Sequence, residues 1–502
     1  MRLLLGLFVH GLAIRPSQPH IVFHIIDDWG FHDIGFRSEQ MHTPTLNMFH
    51  REGVTLEQYY VLPTCSPSRA TFLTGRLPLH TGLNSKLTMA PTALPLGETT
   101  LPSLLQGEGY RTHAVGKWHL GFYRKEYTPT FRGFESWYGY YGGGQDYFTH
   151  KVLIGKKLVF DFHRHPQPFC GPKCAQVEWS AAGKYSTKLF TEEAIRVIRR
   201  HRAEHPGEPL FLYQAWQNVH APIQAPKHFL DWEIRNRTRR RHAAMVKSVD
   251  EAIGRINAAL EYEGMLDNTL VIVTTDNGGA VHECKPNGAS NHPLRGGKCS
   301  IWEGGTRGTA LIKGPQVPRG LVWRGLFHAS DWLPTLLEGV LGTVIAPEAT
   351  KPLDGFNLWH ALRTNATSPR EDIYYGVADE VVGQHGPALR TAEGWKLVLN
   401  GGGGVGDWPE VPARRLGLGK QPGKPAVWGL LSFGYPALFN LLADPSERFD
   451  LSPDEPEVAF ALRKRLLHYT RHAAPNLERN TSCGRLQLRR SPNGLWLGPW
   501  CT

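Results

Sequence analysis

Unbroken apolar runs alternate along this chain with segments of helical periodicity. His20–Ile26 reads His-Ile-Val-Phe-His-Ile-Ile, the β-branched run of a strand buried on both faces. Residues 209–216 and Thr269–Thr275 repeat the pattern, and 112–115 is a shorter version. Between these runs, 103–109, 186–201 and 242–262 carry the apolar spacing of amphipathic helices. Strands alternating with helices predict an α/β sheet, whose chemistry gathers beyond the carboxyl ends of its strands. After Asp331-Trp332-Leu333-Pro334-Thr335 the pattern changes and Gly and Pro become dense. Residues 401–404 read as a flexible loop, 395–399 and 437–441 as short strands of a smaller sheet, and 457–469 as a closing helix. The expected organisation is a catalytic unit over 19–365 and a smaller C-terminal unit over 366–502, with no repeat of solenoid length.

Composition narrows the class. The 502 residues are 41% hydrophobic and 20% charged, an ordinary globular balance. No internal stretch is long and apolar enough to span a bilayer. Arg2 followed by Leu3-Leu4-Leu5-Gly6-Leu7-Phe8-Val9 has the charged and apolar regions of a signal peptide, assigned to 1–18. Asn236-Arg237-Thr238, Asn365-Ala366-Thr367 and Asn480-Thr481-Ser482 are glycosylation acceptor patterns that agree with secretion. Net charge is +11, with 24 His besides. Nucleic acid is one partner for such a balance, but no basic run is interleaved with aromatics, and the Arg237–Arg241 cluster is short. A polyanionic sugar fits the charge as well.

Candidate chemistry concentrates at Cys65-Ser66-Pro67-Ser68-Arg69, continuing to Thr74-Gly75-Arg76. Pro two residues after Cys is pre-set for the first turn of a helix, which places the sulfur at a helix N-terminus, where free N–H groups favour anions. Arg69 adds a permanent cation with a fork suited to oxyanions. The plainer interpretation is a capped helix with a buried thiol. Setting Cys65 aside, six Cys remain, an even number compatible with three disulfides in an oxidising compartment. Cys170 and Cys174 are close enough to pair locally, Cys483 with Cys501 would tie the tail, and Cys284 and Cys299 are then left as the third pair. A zinc site at Cys170-x-x-x-Cys174 lacks a second pair with metal spacing.

Two strands end in acid and amide: Asp27-Asp28 after His20–Ile26, and Asp276-Asn277 after Thr269–Thr275. Singly, each Asp is a cap or turn residue. Together they form an all-oxygen set suited to Ca²⁺ or Mg²⁺ and unsuited to zinc or copper. Lys117 and His119 lie two apart in a segment expected to be extended, so that both face one side. His220 follows the strand at 209–216, and Lys298 sits in Pro293-Leu294-Arg295-Gly296-Gly297-Lys298.

Cys65-x-Pro67-x-Arg69 with Thr74-Gly75-Arg76 resembles the signature of the sulfatases, and the resemblance runs over nearly the whole chain. Gly116-Lys117-Trp118-His119-Leu120-Gly121, Thr275-Asp276-Asn277-Gly278-Gly279, Trp302-Glu303-Gly304-Gly305 and Leu353-Asp354-Gly355-Phe356 are similar to the N-acetylgalactosamine-4-sulfatase branch, which includes arylsulfatases B, I and J. It implies an alkaline-phosphatase-like α/β fold, a mixed sheet flanked by helices with a smaller C-terminal domain of antiparallel sheet plus helix. It also implies that Cys65 is converted by a formylglycine-generating enzyme to formylglycine, whose hydrated aldehyde is the nucleophile. Asp27, Asp28, Asp276 and Asn277, with the modified Cys65, would hold a divalent cation, Ca²⁺ or Mg²⁺. Arg69 would support the nucleophile, Lys117 and Lys298 would grip the sulfate with the two histidines, His220 would act as acid and His119 as base. The expected substrate is an aryl sulfate or a sulfated sugar, 4-sulfated N-acetylgalactosamine of glycosaminoglycans, met in lysosomes or outside the cell. The sequence departs from the branch at Ala90-Pro91-Thr92-Ala93 and Tyr127, where the branch carries Cys. Alternatives are a phosphomonoester or phosphonate hydrolase on the same fold, and a non-catalytic binder of sulfated polysaccharide.

Overall fold

The apolar run His20–Ile26 forms a central strand of a ten-stranded mixed sheet. The computed structural model describes residues 18–84, 87, 89–166, 176–281, 284–376, 386–401, 436–471, 473–477 and 480–501. The leader, the 402–404 part of the glycine loop and the Cys170/Cys174 pair lie outside these residues. In spatial order the sheet runs Leu321–His328, Val54–Tyr60, Ala310–Lys313, Thr269–Thr275, His20–Ile26, Leu210–Ala215, Arg111–Lys117, Ser136–Tyr140, His163–His165 and Gln176–Val177. The five strands from Thr269–Thr275 to Ser136–Tyr140 are mutually parallel. Ala310–Lys313 is antiparallel to both of its neighbours.

Alternate residues of the central strand feed two cores. Ile21, Phe23 and Ile25 pack with Ala70, Phe72 and Leu73 of the helix Cys65–Thr74. Val22 and Ile26 pack on the other face with Val197 and Ile198 of Ser186–Glu204 and Val249 and Ile253 of Arg237–Tyr262. Burial on both faces is why the strand reads as continuous hydrophobicity instead of alternation. The long helix begins five residues before the apolar periodicity does. The Asn236 side chain accepts from the backbone N–H groups of Thr238 and Arg239, both at 3.0 Å, and that cap starts the helix inside a polar, arginine-rich turn.

A four-stranded antiparallel sheet, Asp372–Gly376, Ala388–Thr391, Trp395–Val398 and Ala437–Asn440, carries the helix Pro456–Thr470. Its junction with the large sheet contains a fully buried ionic cluster. Lys396 Nζ lies 3.0 Å from Glu303 Oε1 and 2.8 Å from Glu447 Oε1. Glu447 Oε2 accepts from the Glu303 backbone N–H at 2.7 Å, and the Tyr60 hydroxyl donates to Glu303 at 2.7 Å. Two carboxylates thus share one ammonium. Burial works against ionisation of Glu303, but Lys396, then Arg390 and Arg307, hold its carboxyl below the usual range. For Glu447 burial prevails over Lys396 and pushes the carboxyl up to about 7.

A third sheet unites distant parts of the chain. The hairpin Lys151–Ile154 and Lys157–Phe160 is extended by Gly494–Trp496 and Arg489–Ser491, with Trp496 paired to Phe160. The strand Gly494–Trp496 and the residue after it therefore pack on the cores of the large sheet, Leu497 in one and Trp496 against the other. Disulfides Cys284–Cys299 and Cys483–Cys501 are both formed, as the cysteine spacing suggested. Among the described residues no helix is long and apolar enough to cross a membrane.

Candidate active site

Parallel register brings the acidic and basic residues to one edge. Ile26 pairs with Thr275, Ile25 with Ala215, and Gly116 with Ala215. Asp27-Asp28, Asp276-Asn277, Lys117 and the turn leading to His220 consequently leave the sheet side by side at its carboxyl ends. Cys65 opens its helix beside them, buried and unpaired, with Pro67 in the first turn.

Arg69 reaches back from one turn later. Its Nε and Nη2 donate to Asp276 Oδ2 at 3.0 and 2.7 Å, and Nη2 lies 3.7 Å from Asp27 Oδ2. Lys117 Nζ donates to Asp27 Oδ2 at 2.5 Å, Lys298 Nζ to Asp28 Oδ1 at 2.6 Å, and Asn277 Nδ2 to the same oxygen at 2.8 Å. Burial opposes the charged form of Arg69, yet Asp276 and Asp27 raise its pKa further. The same balance, with Asp28 as the partner, holds for Lys298. Burial would raise Asp28, but Lys298, His220 and the Asn277 amide hold its carboxyl well below the usual range. Burial and then the Asp276 carboxylate push Asp27 well above it, against Lys117.

Three carboxyl groups face three cationic side chains, a formally balanced set. Asp27 Oδ1 and Asn277 Oδ1 are nonetheless buried with no hydrogen-bond partner. Orphaned hard oxygens at the ends of adjacent strands are what a divalent cation would satisfy. Ligand atoms of Asp27, Cys65 and Asp276 lie within 4.8 Å of one another, as do those of Asp27, Asp28 and His220. The donor set fits such an ion, and its two added charges would leave the pocket positive toward an anion.

The expected extended segment through Lys117 and His119 ends at Lys117. His119 has φ of 56°, a left-handed backbone that turns its ring away from the strand direction. Its Nε2 lies 2.9 Å from the Leu87 carbonyl, an acceptor only, so Nε2 carries the proton. Nδ1 is left as a buried lone pair without a partner. His220 Nδ1 likewise donates to the Ala221 carbonyl at 2.6 Å, and its Nε2 lies 3.9 Å from Asp28 Oδ2. Burial first, then Lys117 for His119 and Lys298 for His220, push both imidazoles well below their ordinary value.

Two features escaped the reading of the sequence. A Cβ on Gly143 would lie 2.8 Å from His119 Nε2, and one on Gly144 would lie 2.7 Å from His220 Nδ1. Both rings therefore pack directly on glycine backbone, and the run Gly142-Gly143-Gly144 after an aromatic strand was the available signal. Asp161 fixes that run: its Oδ1 accepts from the Tyr141 N–H at 3.0 Å and its Oδ2 from the Gly142 N–H at 2.8 Å. Nothing in the local sequence marks it. A cavity of about 570 Å³ opens over Cys65, His119, His220 and Lys298. All ten expected site residues fall in this one cluster.

The sulfatase family profile matches residues 19–342, most of the chain. The protein is a member of the sulfatase family. This sulfatase is 37% identical over 515 residues to arylsulfatase J of Mus musculus, an alignment spanning 96% of this chain and 80% of that protein. It is 31% identical to N-acetylgalactosamine-6-sulfatase of Homo sapiens, over 90% of this chain and 85% of that one. The solved structure of Ps i-CgsB in complex with k-i-k-neocarrahexaose superposes with a TM-score of 0.75 at 27% identity, covering 93% of the sulfatase and 96% of that chain. The fold is the alkaline-phosphatase-like one, and the activity is that of a sulfuric ester hydrolase. The family generally employs a formylglycine and a divalent metal ion, and the cluster around Cys65 offers a place for each.

Proposed function

We propose that this sulfatase hydrolyses the sulfate ester of 4-sulfated N-acetylgalactosamine in glycosaminoglycans, and of small aryl sulfates, with a formylglycine made from Cys65 and a Ca²⁺ ion, for which Mg²⁺ is the substitute. The observation that carries this reading is the pair of orphaned buried oxygens, Asp27 Oδ1 and Asn277 Oδ1, beside an unpaired buried Cys65. Asp27, Asp28, Asp276 and Asn277 would hold the cation, which supplies charge stabilisation at the nucleophile and the sulfate oxygens. The modified Cys65 supplies two hydroxyls, one to take the sulfate and one to expel it.

The chain's own residues do the rest. Arg69 orients Asp276 and Asp27 around position 65. Lys117 and Lys298 bring positive charge to the sulfate oxygens in a water-poor pocket, where it is worth most. His119 is the base, because its proton is committed to the Leu87 carbonyl and Nδ1 retains a lone pair. His220 is the acid: with Nδ1 committed to the Ala221 carbonyl, its Nε2, 3.9 Å from Asp28 Oδ2, is the position through which a proton is passed to the leaving oxygen. Residues 19–365 serve as the catalytic unit and 366–502 as the smaller one. The setting is the secretory pathway, ending in lysosomes or outside the cell, where a formylglycine-generating enzyme acts first.

Similarity to arylsulfatase J and the bound carrageenan oligosaccharide of a structural neighbour support a sulfated sugar as substrate. The test is sulfate release from N-acetylgalactosamine 4-sulfate and 6-sulfate by protein carrying formylglycine, with peptide mass mapping at position 65. Faster release from the 4-sulfate is expected. Release from the 6-sulfate alone would overturn the linkage, and full activity with an unmodified thiol would overturn the mechanism.

A further inference from the structure

The catalytic cavity has two unlike ends. Its floor is charged and buried, as described. One wall of its mouth is the hairpin Lys151–Ile154 and Lys157–Phe160, whose first strand is the free edge of its sheet. Leu153 and Leu158 are directly paired across the hairpin, both line the cavity, and both are more than 60% exposed. Such a pair on an edge strand is a standing liability for aggregation unless something covers it. Lys151, two residues before Leu153 and on the same face, also lines the cavity, and Lys285 faces it from the loop that carries Cys284. Both lysines are exposed, and neither forms an ion pair among the described residues. The carboxylate at the mouth, Asp146, is already engaged by the N–H groups of Phe148 and Thr149 and by Gln224. Among the described residues, the rim is therefore apolar on one side and carries two positive charges without an ion-pair partner.

We infer that this hairpin is a second sugar subsite, which takes the residue next to the sulfated sugar and selects for an anionic group on it. The inference rests on the proposed sulfated-sugar reading and assigns residues of this chain to the unit next to that sugar, which in such a glycosaminoglycan is a uronic acid. A pyranose ring has an apolar C–H face and polar edges. Leu153 and Leu158 supply the surface for the first, and Lys151, aided by Lys285, a partner for a carboxylate or second sulfate. The committed occupant is an acidic glycan unit. A neutral sugar would leave both lysines unmatched, and a purely apolar aglycone would bring hydrocarbon up to them.

Titration calorimetry on the full chain with Cys65→Ala, which blocks turnover, tests this with two probes. One is N-acetylgalactosamine 4-sulfate and the other is the same sugar joined to a uronic acid. The disaccharide is expected to bind about tenfold more tightly. Lys151→Gln should reduce that ratio to about threefold, the scale of an exposed ion pair, and Lys151→Arg should preserve it. Leu153→Ser with Leu158→Ser should also reduce it. Affinity for the monosaccharide serves as the control for an intact pocket. Equal affinities in the parent protein, or a ratio untouched by Lys151→Gln, would overturn the subsite. Failure of the sulfatase mechanism would instead show as no sulfate release from 4-nitrophenyl sulfate by the formylglycine form, a result independent of these ratios.

Discussion

Replacing Glu447 with Gln should stabilise the protein at alkaline pH and remove part of its pH dependence. In the fold, Glu303 and Glu447 compete for the ammonium of Lys396, and burial leaves Glu447 with a carboxyl near 7 against an ordinary 4.5. The native state then holds a proton that the unfolded chain releases. This contribution is fully present below pH 4.5, declines as pH rises, and is gone above about 7. The displacement corresponds to roughly 3 kcal/mol between those limits. Gln imitates the protonated acid while Glu303 continues to neutralise Lys396, so the variant should lose that slope. Guanidinium unfolding of both proteins at pH 5 and pH 8 reads the effect as a difference of differences. The two should be close in stability at pH 5, and Glu447→Gln should be the more stable by about 3 kcal/mol at pH 8. Parallel pH profiles would refute the shared-ammonium argument.

Four further outcomes are expected. Asp27→Ala, Asp28→Ala or Asp276→Ala should each lower kcat by about a thousandfold or more and weaken Ca²⁺ binding measured by calorimetry, since each removes a carboxylate from the proposed cation site; full activity after exhaustive chelation would contradict this. Cys65→Ser has one hydroxyl where two are needed, so intact mass should show a stable sulfate ester and no sustained turnover. Gly143→Ala puts a methyl 2.8 Å from His119 Nε2 and should cut kcat by about a hundredfold while leaving thermal stability nearly unchanged. Asp161→Asn replaces one of two acceptors for the Tyr141 and Gly142 N–H groups with a donor, and should destabilise the protein by about 1–3 kcal/mol in denaturant unfolding.

The strands at 20–26 and 269–275 were legible residue for residue, because burial on both faces demands an uninterrupted apolar run. Val54–Tyr60 was not, since Glu57 and Gln58 interrupt it and its pairing partners lie more than 250 residues away. The N-terminal turn of Arg237–Tyr262 was hidden for the opposite reason: a side-chain cap, and no apolar stripe, starts it. At the site, the ligand-type residues stood out because acid and amide pairs follow two separate apolar strands, a combination that a single cap or turn does not require. Gly143, Gly144 and Asp161 act by leaving room and by fixing backbone, and such roles follow from a three-dimensional neighbour that spacing along the chain does not specify.

If Cys65 is converted as proposed, its burial sets an order of events in biosynthesis. The thiol lies at the floor of the catalytic cavity and is only 2% exposed, too deep for the active site of a second protein, so the proposed modifying enzyme would have to meet it on a chain that has not yet folded. The strand carrying Asp276 and the loop carrying Lys298 emerge from the ribosome more than 200 residues after Cys65. At ordinary elongation rates that interval is roughly 10–50 s. The strand Gly494–Trp496, which extends the hairpin at the pocket mouth, arrives last of all. A sequence change that hastened local closure around position 65 would therefore trade modification for stability, giving a well-folded protein with an unconverted thiol.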